Sequence, residues 1–219
     1  MFRDRIALAS VLVAPLALGA SARADVVHAD IWVTAFGGQL VTGGWDHDTG
    51  VVINPDQRVF EGELGLDPSF PFSGDEPGIG SDLVGASVRL NVLNTLSAWN
   101  GSSFDLSNSV LTVGYGGQSA DTASGGFVSF AVTAGLDLHP EYTLSGPGAT
   151  DPANGIYLAT FFFASNGLAD SQVFWAVLNL GMSEEDHEAA VEWVEANLVP
   201  APSAIALLGV AGLLRRRRA

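Results

Sequence analysis

Two amino-acid types are missing from this 219-residue chain, and the first absence excludes several kinds of chemistry. Without cysteine, the protein has no disulfide, no thiolate metal site and no cysteine nucleophile. Without lysine, its nine basic residues are all arginines. A hydrophobic core must therefore hold the fold together, and 47% hydrophobic residues suffice for one domain of this length.

Positive charge is also scarce in the central part of the chain. Residues 25–199 contain two arginines, Arg58 and Arg89, against 23 acidic residues, a formal charge of −21. Such a field repels phosphate backbones and argues against a nucleic-acid partner. It attracts divalent cations, although a plain acidic surface that keeps the protein soluble has the same composition.

Several sequence motifs of catalysis and binding are absent as well. There is no phosphate-binding loop and no Gly-x-Ser-x-Gly turn around a nucleophilic serine. Residues 46–50 start like a calcium loop, but Gly50 replaces an oxygen ligand and the twelfth position lacks glutamate, so a turn is predicted. Asp75 and Glu76 lie in a Pro/Gly-rich loop and either bind a cation or are solvated.

The N-terminus has the three parts of a secretory signal peptide. Two arginines precede an apolar run of 15 residues at 6–20, and Ala22 and Ala24 then form the small-x-small site that signal peptidase cleaves. The run is short for a permanent membrane span. Residues 1–24 are therefore predicted to be removed, and the mature chain is predicted to begin near Asp25.

Residues 199–219 show a similar order of features at the other end. The tripeptide Pro200, Ala201, Pro202 is followed by an apolar run at 204–214 that is too short to cross about 30 Å of hydrocarbon at 1.5 Å per residue. By the positive-inside rule, the basic end would stay in the cytoplasm. The chain closes on this basic cluster: Arg215, Arg216, Arg217 and Arg218 before the final alanine.

This tail resembles the PEP-CTERM sorting signal of envelope-forming bacteria, in a variant similar to planctomycete sequences in which Ala201 replaces glutamate. The resemblance implies processing by an exosortase-type membrane protease near the Pro-containing motif. It also implies a transient membrane helix in the inner membrane, followed by release to the cell surface, the outer envelope or the extracellular matrix.

The body, residues 25–198, has the pattern of a single all-β domain. Short alternating segments are separated by Gly, Pro, Asp and Ser loops such as 67–81, and Asn-Gly pairs at 100, 154 and 166 predict tight turns. This pattern favours an antiparallel β-sandwich, jelly-roll-like, with one C-terminal capping helix. The predicted strands are 26–34, 59–64, 88–93, 110–115, 127–132, 142–145, 156–163 and 173–178.

The helix is predicted at residues 184–198. Ser183 is a good N-cap and Asp186 completes a capping box. The helix should end before Pro200 and pack on the sandwich through one apolar stripe. That stripe consists of Ala190, Val191, Val194 and Leu198.

Two His/Asp pairs are the candidate metal ligands. His28 and Asp30 are two residues apart, as are Asp137 and His139, so each pair lies on one face of its strand. If the strands are neighbours, the four side chains would converge on one ion, Zn²⁺ or Ca²⁺. Since the alternate residues face the core, both pairs are predicted to point outward, and a solvated polar face is the alternative.

A second resemblance concerns the same region. Residues 136–142, 155–161 and 167–171 are similar to the C-terminal half of a PEP-CTERM family under zinc-repressor control. That family tends to have His-x-His-Pro here, and Asp137 stands in place of its first histidine. A metal role for Asp137 and His139 is what this resemblance implies.

Three functions follow from the sequence. The favoured one is a non-catalytic exported protein associated with extracellular polysaccharide or the outer envelope. An exported metal-binding protein and a secreted carbohydrate-active enzyme are the alternatives.

Five tryptophans either stack on sugars or pack in the core, with packing favoured. They are Trp32, Trp45, Trp99, Trp175 and Trp193.

Overall fold

A computed structural model describes residues 29–200, which form fifteen strands and one α-helix. The strands are β1 (Asp30–Phe36), β2 (Gln39–Asp46), β3 (Val51–Pro55), β4 (Val59–Glu63), β5 (Ser73–Gly74), β6 (Ile79–Ser81), β7 (Ser87–Trp99), β8 (Phe104–Leu106), β9 (Val110–Tyr115), β10 (Gln118–Asp121), β11 (Gly126–Ala131), β12 (Leu136–Leu138), β13 (Glu141–Ser145), β14 (Gly155–Ser165) and β15 (Phe174–Leu180). Helix α1 is Glu184–Asn197. The predicted all-β sandwich with a C-terminal helix is confirmed.

The predicted signal peptide and the sorting tail from Ala201 onward lie outside the described residues. Between residues 29 and 200, no helix combines the length and the hydropathy that crossing a bilayer requires.

The strands form three sheets. Their orders are β12-β6-β1-β2-β3, β10-β9-β13-β5 and β11-β7-β14-β15-β4, with β8 beside β7. Neighbouring strands are antiparallel except for two parallel pairs, β1 with β6 and β4 with β15. A group of acidic residues with a histidine from a neighbouring segment lies at each of these pairs.

The core lies between the six-stranded sheet and the two smaller sheets. Strand β14 shows this arrangement, because its side chains alternate between two apolar layers. Phe161 and Phe163 belong to the large central core, whereas Ile156 and Leu158 belong to a second cluster beneath helix α1. The helix therefore covers the outer face of the six-stranded sheet.

Helix α1 begins at the predicted N-cap, Ser183, and packs through the predicted stripe. The Ser183 hydroxyl accepts a hydrogen bond from the Asp186 backbone N–H and donates one to the Asp186 carboxylate. The apolar stripe is buried at Ala190, Val191 and Val194. Together, the cap and the stripe fix where the helix starts and how it is rotated on the sheet.

Two predictions are wrong, one of a tight turn and one of a loop. Gly155 is the first residue of β14 and does not have positive φ, so the Asn-Gly pair there is not a tight turn. The predicted loop 67–81 contains β5 and β6. Strand β6 pairs on both sides although glycines flank Ile79, and these glycines hide the alternation that marks a strand.

Candidate metal centre

Strand β6 lies between the two segments that carry the predicted ligands Asp30 and His139, and it brings both to the same place on the sheet. Strands β1 and β12 are not neighbours, because β6 lies between them. Ile79 of β6 is in register with Ile31 on one side and Leu138 on the other. Asp30 and His139 each lie one residue from these partners, so both point to the face opposite the core.

Gly78 leaves the space in which these side chains meet. A Cβ atom at Gly78 would lie 2.8 Å from His139 Cε1 and 2.9 Å from Asp30 Oδ1. The Gly78 backbone N–H donates to Asp30 Oδ1 at 2.7 Å and to Glu76 Oε2 at 2.8 Å. Two carboxylates are thus held against one backbone donor.

Asp30 is almost fully buried, with 2% of its surface exposed. It faces away from the core, as predicted, but the alternative of a solvated polar face does not hold for it, because other groups cover both of its oxygens. The Gly78 N–H contacts Oδ1, and His47 Nδ1 lies 2.8 Å from Oδ2. A buried carboxylate needs such partners, since desolvation without them is costly.

The two ring nitrogens of His139 have different neighbours. Nδ1 lies 3.2 Å from the Asp75 backbone oxygen and 3.4 Å from Glu76 Oε1, and Nε2 lies 3.1 Å from Asp137 Oδ1. The carbonyl and the carboxylate both only accept, so the charged ring donates from both nitrogens. A neutral ring that keeps its hydrogen on Nδ1, toward the Asp75 carbonyl, leaves Nε2 able to ligate a metal, and such a carbonyl contact is the usual support of a metal-bound histidine.

The structure brings Asp30, Asp137 and His139 together. One ligand atom from each lies within 4.8 Å of the others. Ligand atoms of tetrahedral zinc lie about 3.3 Å apart, given metal–ligand distances of about 2 Å, so small side-chain movements would suffice. His28, the fourth predicted ligand, lies outside the described residues.

The sequence pattern does not predict that His47 belongs to this cluster, although its side chain contacts Asp30 in the fold. The predicted turn at residues 46–50 is confirmed, and the Asp46 carboxylate accepts hydrogen bonds from Asp48 and Thr49 within it. The hydrogen bonds from Thr49, first among several causes, lower the pKa of Asp46. The turn folds His47 back over β1, and no periodic pattern reveals such a contact.

The cluster favours bound protons when no metal is present. Burial, together with the hydrogen bond and charge of Asp30, raises the pKa of Glu76 to about 7. The hydrogen bond with Asp30 raises the pKa of His47. Burial alone would lower the pKa of His139, but the charges of Glu76, Asp30 and Asp137 and the Asp75 carbonyl raise it overall. Concentrated negative charge thus stabilises positive charge at this site.

A cleft of about 390 Å³ lies beside the cluster. Glu76 lines this cleft and also contacts His139, whereas the three candidate ligands do not line the cleft themselves. The cleft combines five acidic side chains with two apolar ones that are well exposed, Leu66 and Phe70. The acids are Glu63, Asp67, Asp75, Glu76 and Glu141.

The tryptophans pack as expected. Trp45 and Trp175 are buried, and the other three are partly buried. Trp45 lies against Gly80 of β6, where a Cβ atom would come within 2.5 Å of the indole ring. Trp45 is also the cross-strand partner of Asp30, so its indole lies beside the cluster on the same face of the sheet.

No protein-family model matches the chain, and no curated protein sequence matches it either. The resemblance of the tail to PEP-CTERM signals therefore stays a prediction.

Proposed function

We propose that this protein is an exported metal-binding protein whose centre is formed by Asp30, Asp137 and His139. The observation that supports it most directly is the burial of the Asp30 carboxylate between His47 and the Asp137–His139 pair. Glu76 borders the same site and supplies a further carboxylate.

The ligand types favour zinc over calcium. One imidazole nitrogen with two carboxylate oxygens suits Zn²⁺ and related transition metals, which accept nitrogen and oxygen ligands in small coordination numbers. Calcium takes six to eight oxygens and does not favour imidazole. Metal binding would displace the protons that the cluster holds, so affinity should rise with pH.

Calorimetric titration with Zn²⁺ and with Ca²⁺ tests the proposal. We expect zinc to bind in the micromolar range or tighter, and Asp30→Asn or His139→Gln to weaken this site by more than about tenfold, since each removes a ligand. Asp151→Asn is the matched control, because it removes the same charge from an exposed loop outside the cluster.

Equal weakening by Asp151→Asn and Asp30→Asn would mean that zinc binds only to the general negative charge. Absence of zinc binding tighter than millimolar would also overturn the proposal.

The location is proposed on the sequence of the two ends. Signal peptidase cleavage before Asp25 and exosortase-type processing near Pro200 would deliver the acidic domain to the cell surface or matrix, where polysaccharide association is the expected context. Mass spectrometry of the protein isolated from cells tests this. A cytosolic product with both ends intact would contradict it.

A carbohydrate-active enzyme is the second candidate, and the cleft favours it. Glu76 holds a proton to about pH 7 at the edge of an acidic cleft with an exposed aromatic side chain, Phe70. A protonated carboxyl beside further carboxylates is what glycoside hydrolysis needs. Cleavage of polymeric glycans that Glu76→Gln abolishes would support it, and no cleavage of any glycan tested would end it.

A further inference from the structure

A second group of acids with one histidine lies where helix α1 meets the six-stranded sheet. Val59 of β4 packs in the apolar cluster beneath the helix. Glu61 and Glu63 follow at alternate positions of the same strand, so they share that face of the sheet. Strand β4 therefore directs two carboxylates toward the helix.

The helix contributes two more groups from its first turn. Glu184 and His187 are three residues apart, a spacing that places both on one side of a helix. One ligand atom each from Glu61, Glu184 and His187 lies within 4.8 Å of the others. Side chains from the strand and from the helix therefore converge where the two elements meet.

His187 aims a lone pair into this group. Its side chain is fully buried, and Nε2 lies 3.0 Å from the Val177 backbone oxygen. Because the carbonyl only accepts, Nε2 carries the hydrogen, and in the neutral ring Nδ1 is left without one. A backbone carbonyl behind one nitrogen, with acids in front of the other, repeats the arrangement of a metal-bound histidine.

Nδ1 of His187 has no hydrogen-bond partner among the described residues. Glu63 Oε1 is 3.2 Å away, but it is not aligned for a hydrogen bond. That oxygen already accepts a hydrogen bond from Asn179 Nδ2 at 3.1 Å. A buried ring nitrogen in this state needs a ligand, either a proton or a metal ion.

The surrounding charge suits either ligand. Burial alone would lower the pKa of His187, but its contacts with Glu63 and the Val177 carbonyl and the charge of Glu61 raise it overall. Positive charge at Nδ1 is thus favoured, and a divalent cation would neutralise several carboxylates at once.

We propose that Glu61, Glu184 and His187 form a second divalent-metal site, of the zinc class, that joins the first turn of helix α1 to strand β4. It shares no ligand with the Asp30 centre and does not depend on it. A bound ion would add a link between two elements that apolar packing and the close contact of His187 with Glu63 already join, so zinc should stabilise the folded protein through this site.

Counting bound zinc by equilibrium dialysis and metal analysis tests the proposal, with thermal unfolding as a second readout. Glu184→Gln is the main variant, because Glu184 is exposed and its replacement should leave the fold intact, whereas His187 is buried. Glu185→Gln is the matched control, since Glu185 is also exposed and lies in the same helical turn, outside the ligand set. Each variant is also made together with Asp30→Asn.

We expect two zinc ions per wild-type chain, one in Asp30→Asn, one in Asp30→Asn/Glu185→Gln and none in Asp30→Asn/Glu184→Gln. Zinc should raise the melting temperature of Asp30→Asn and lose this effect when Glu184→Gln is added. The second site is wrong if Asp30→Asn/Glu184→Gln keeps its zinc, or if the Glu185 control loses zinc equally. Loss of one ion in Glu184→Gln, but none in Asp30→Asn, would support this site and contradict the Asp30 centre.

Discussion

At the scale of single residues, Gly78 leaves the space that the proposed metal centre needs. Its missing side chain makes room for His139 and Asp30, and its backbone N–H holds two carboxylates in place. A larger residue would remove the space, while the strand pairing around it would still be satisfied.

Gly78→Ala should lower zinc affinity at the Asp30 centre by more than about tenfold, because the added methyl group would displace His139 or Asp30 from ligand geometry. Calorimetric titration measures the effect. Gly114→Ala in β9 is the control, because the nearest atoms to a Cβ there are 3.9 Å away. Wild-type affinity in Gly78→Ala would show that the ion lies elsewhere.

Glu76 should make the stability of the metal-free protein depend on pH. In the folded state it holds its proton up to about pH 7, whereas its ordinary pKa is 4.5. Between these values the folded state binds more protons than the unfolded chain, so the free energy of unfolding should fall as pH rises. The raised pKa values of His47 and His139 extend the fall above their ordinary value of 6.5.

Urea unfolding of the metal-free protein at several values between about pH 5 and pH 8 measures this slope. Glu76→Gln should make the decline shallower below pH 7, because that side chain no longer titrates. Identical slopes in the two proteins would contradict the assigned role of Glu76.

At the scale of elements, the sequence predicts those that have a clear period or cap. Strand β9 and the buried stripe of α1 match their predictions, because apolar residues alternate in the one and follow a helical spacing in the other. The sequence pattern does not predict strand β6, because three residues with glycine on both sides of Ile79 show no period. The convergence of Asp30 with His139 depends on β6, so sequence reasoning could name these ligands but not how they meet.

Ser183→Ala should lower the free energy of unfolding by about 1 kcal/mol, because the N-cap hydroxyl satisfies a helix N–H that would otherwise lack a partner. Ser183→Thr keeps the hydroxyl and should lose less. Chemical denaturation compares the three proteins. An alanine variant as stable as the wild type would mean that the cap contributes nothing to the fold.

At the scale of the whole molecule, charge and architecture act together. The domain concentrates negative charge, and the two parallel strand pairs gather part of it around buried histidines, His139 being partly and His187 fully covered. General acidity attracts cations weakly, whereas a buried carboxylate or imidazole fixes ligand geometry. The proposed metal binding therefore depends on specific sites rather than on net charge.

Anomalous X-ray scattering at the zinc edge from crystals of the zinc-loaded protein tests this claim most directly. We predict a peak about 2 Å from Nε2 of His139 and from one carboxylate oxygen each of Asp30 and Asp137. Zinc peaks scattered over surface carboxylates, with none between these three residues, would contradict the account.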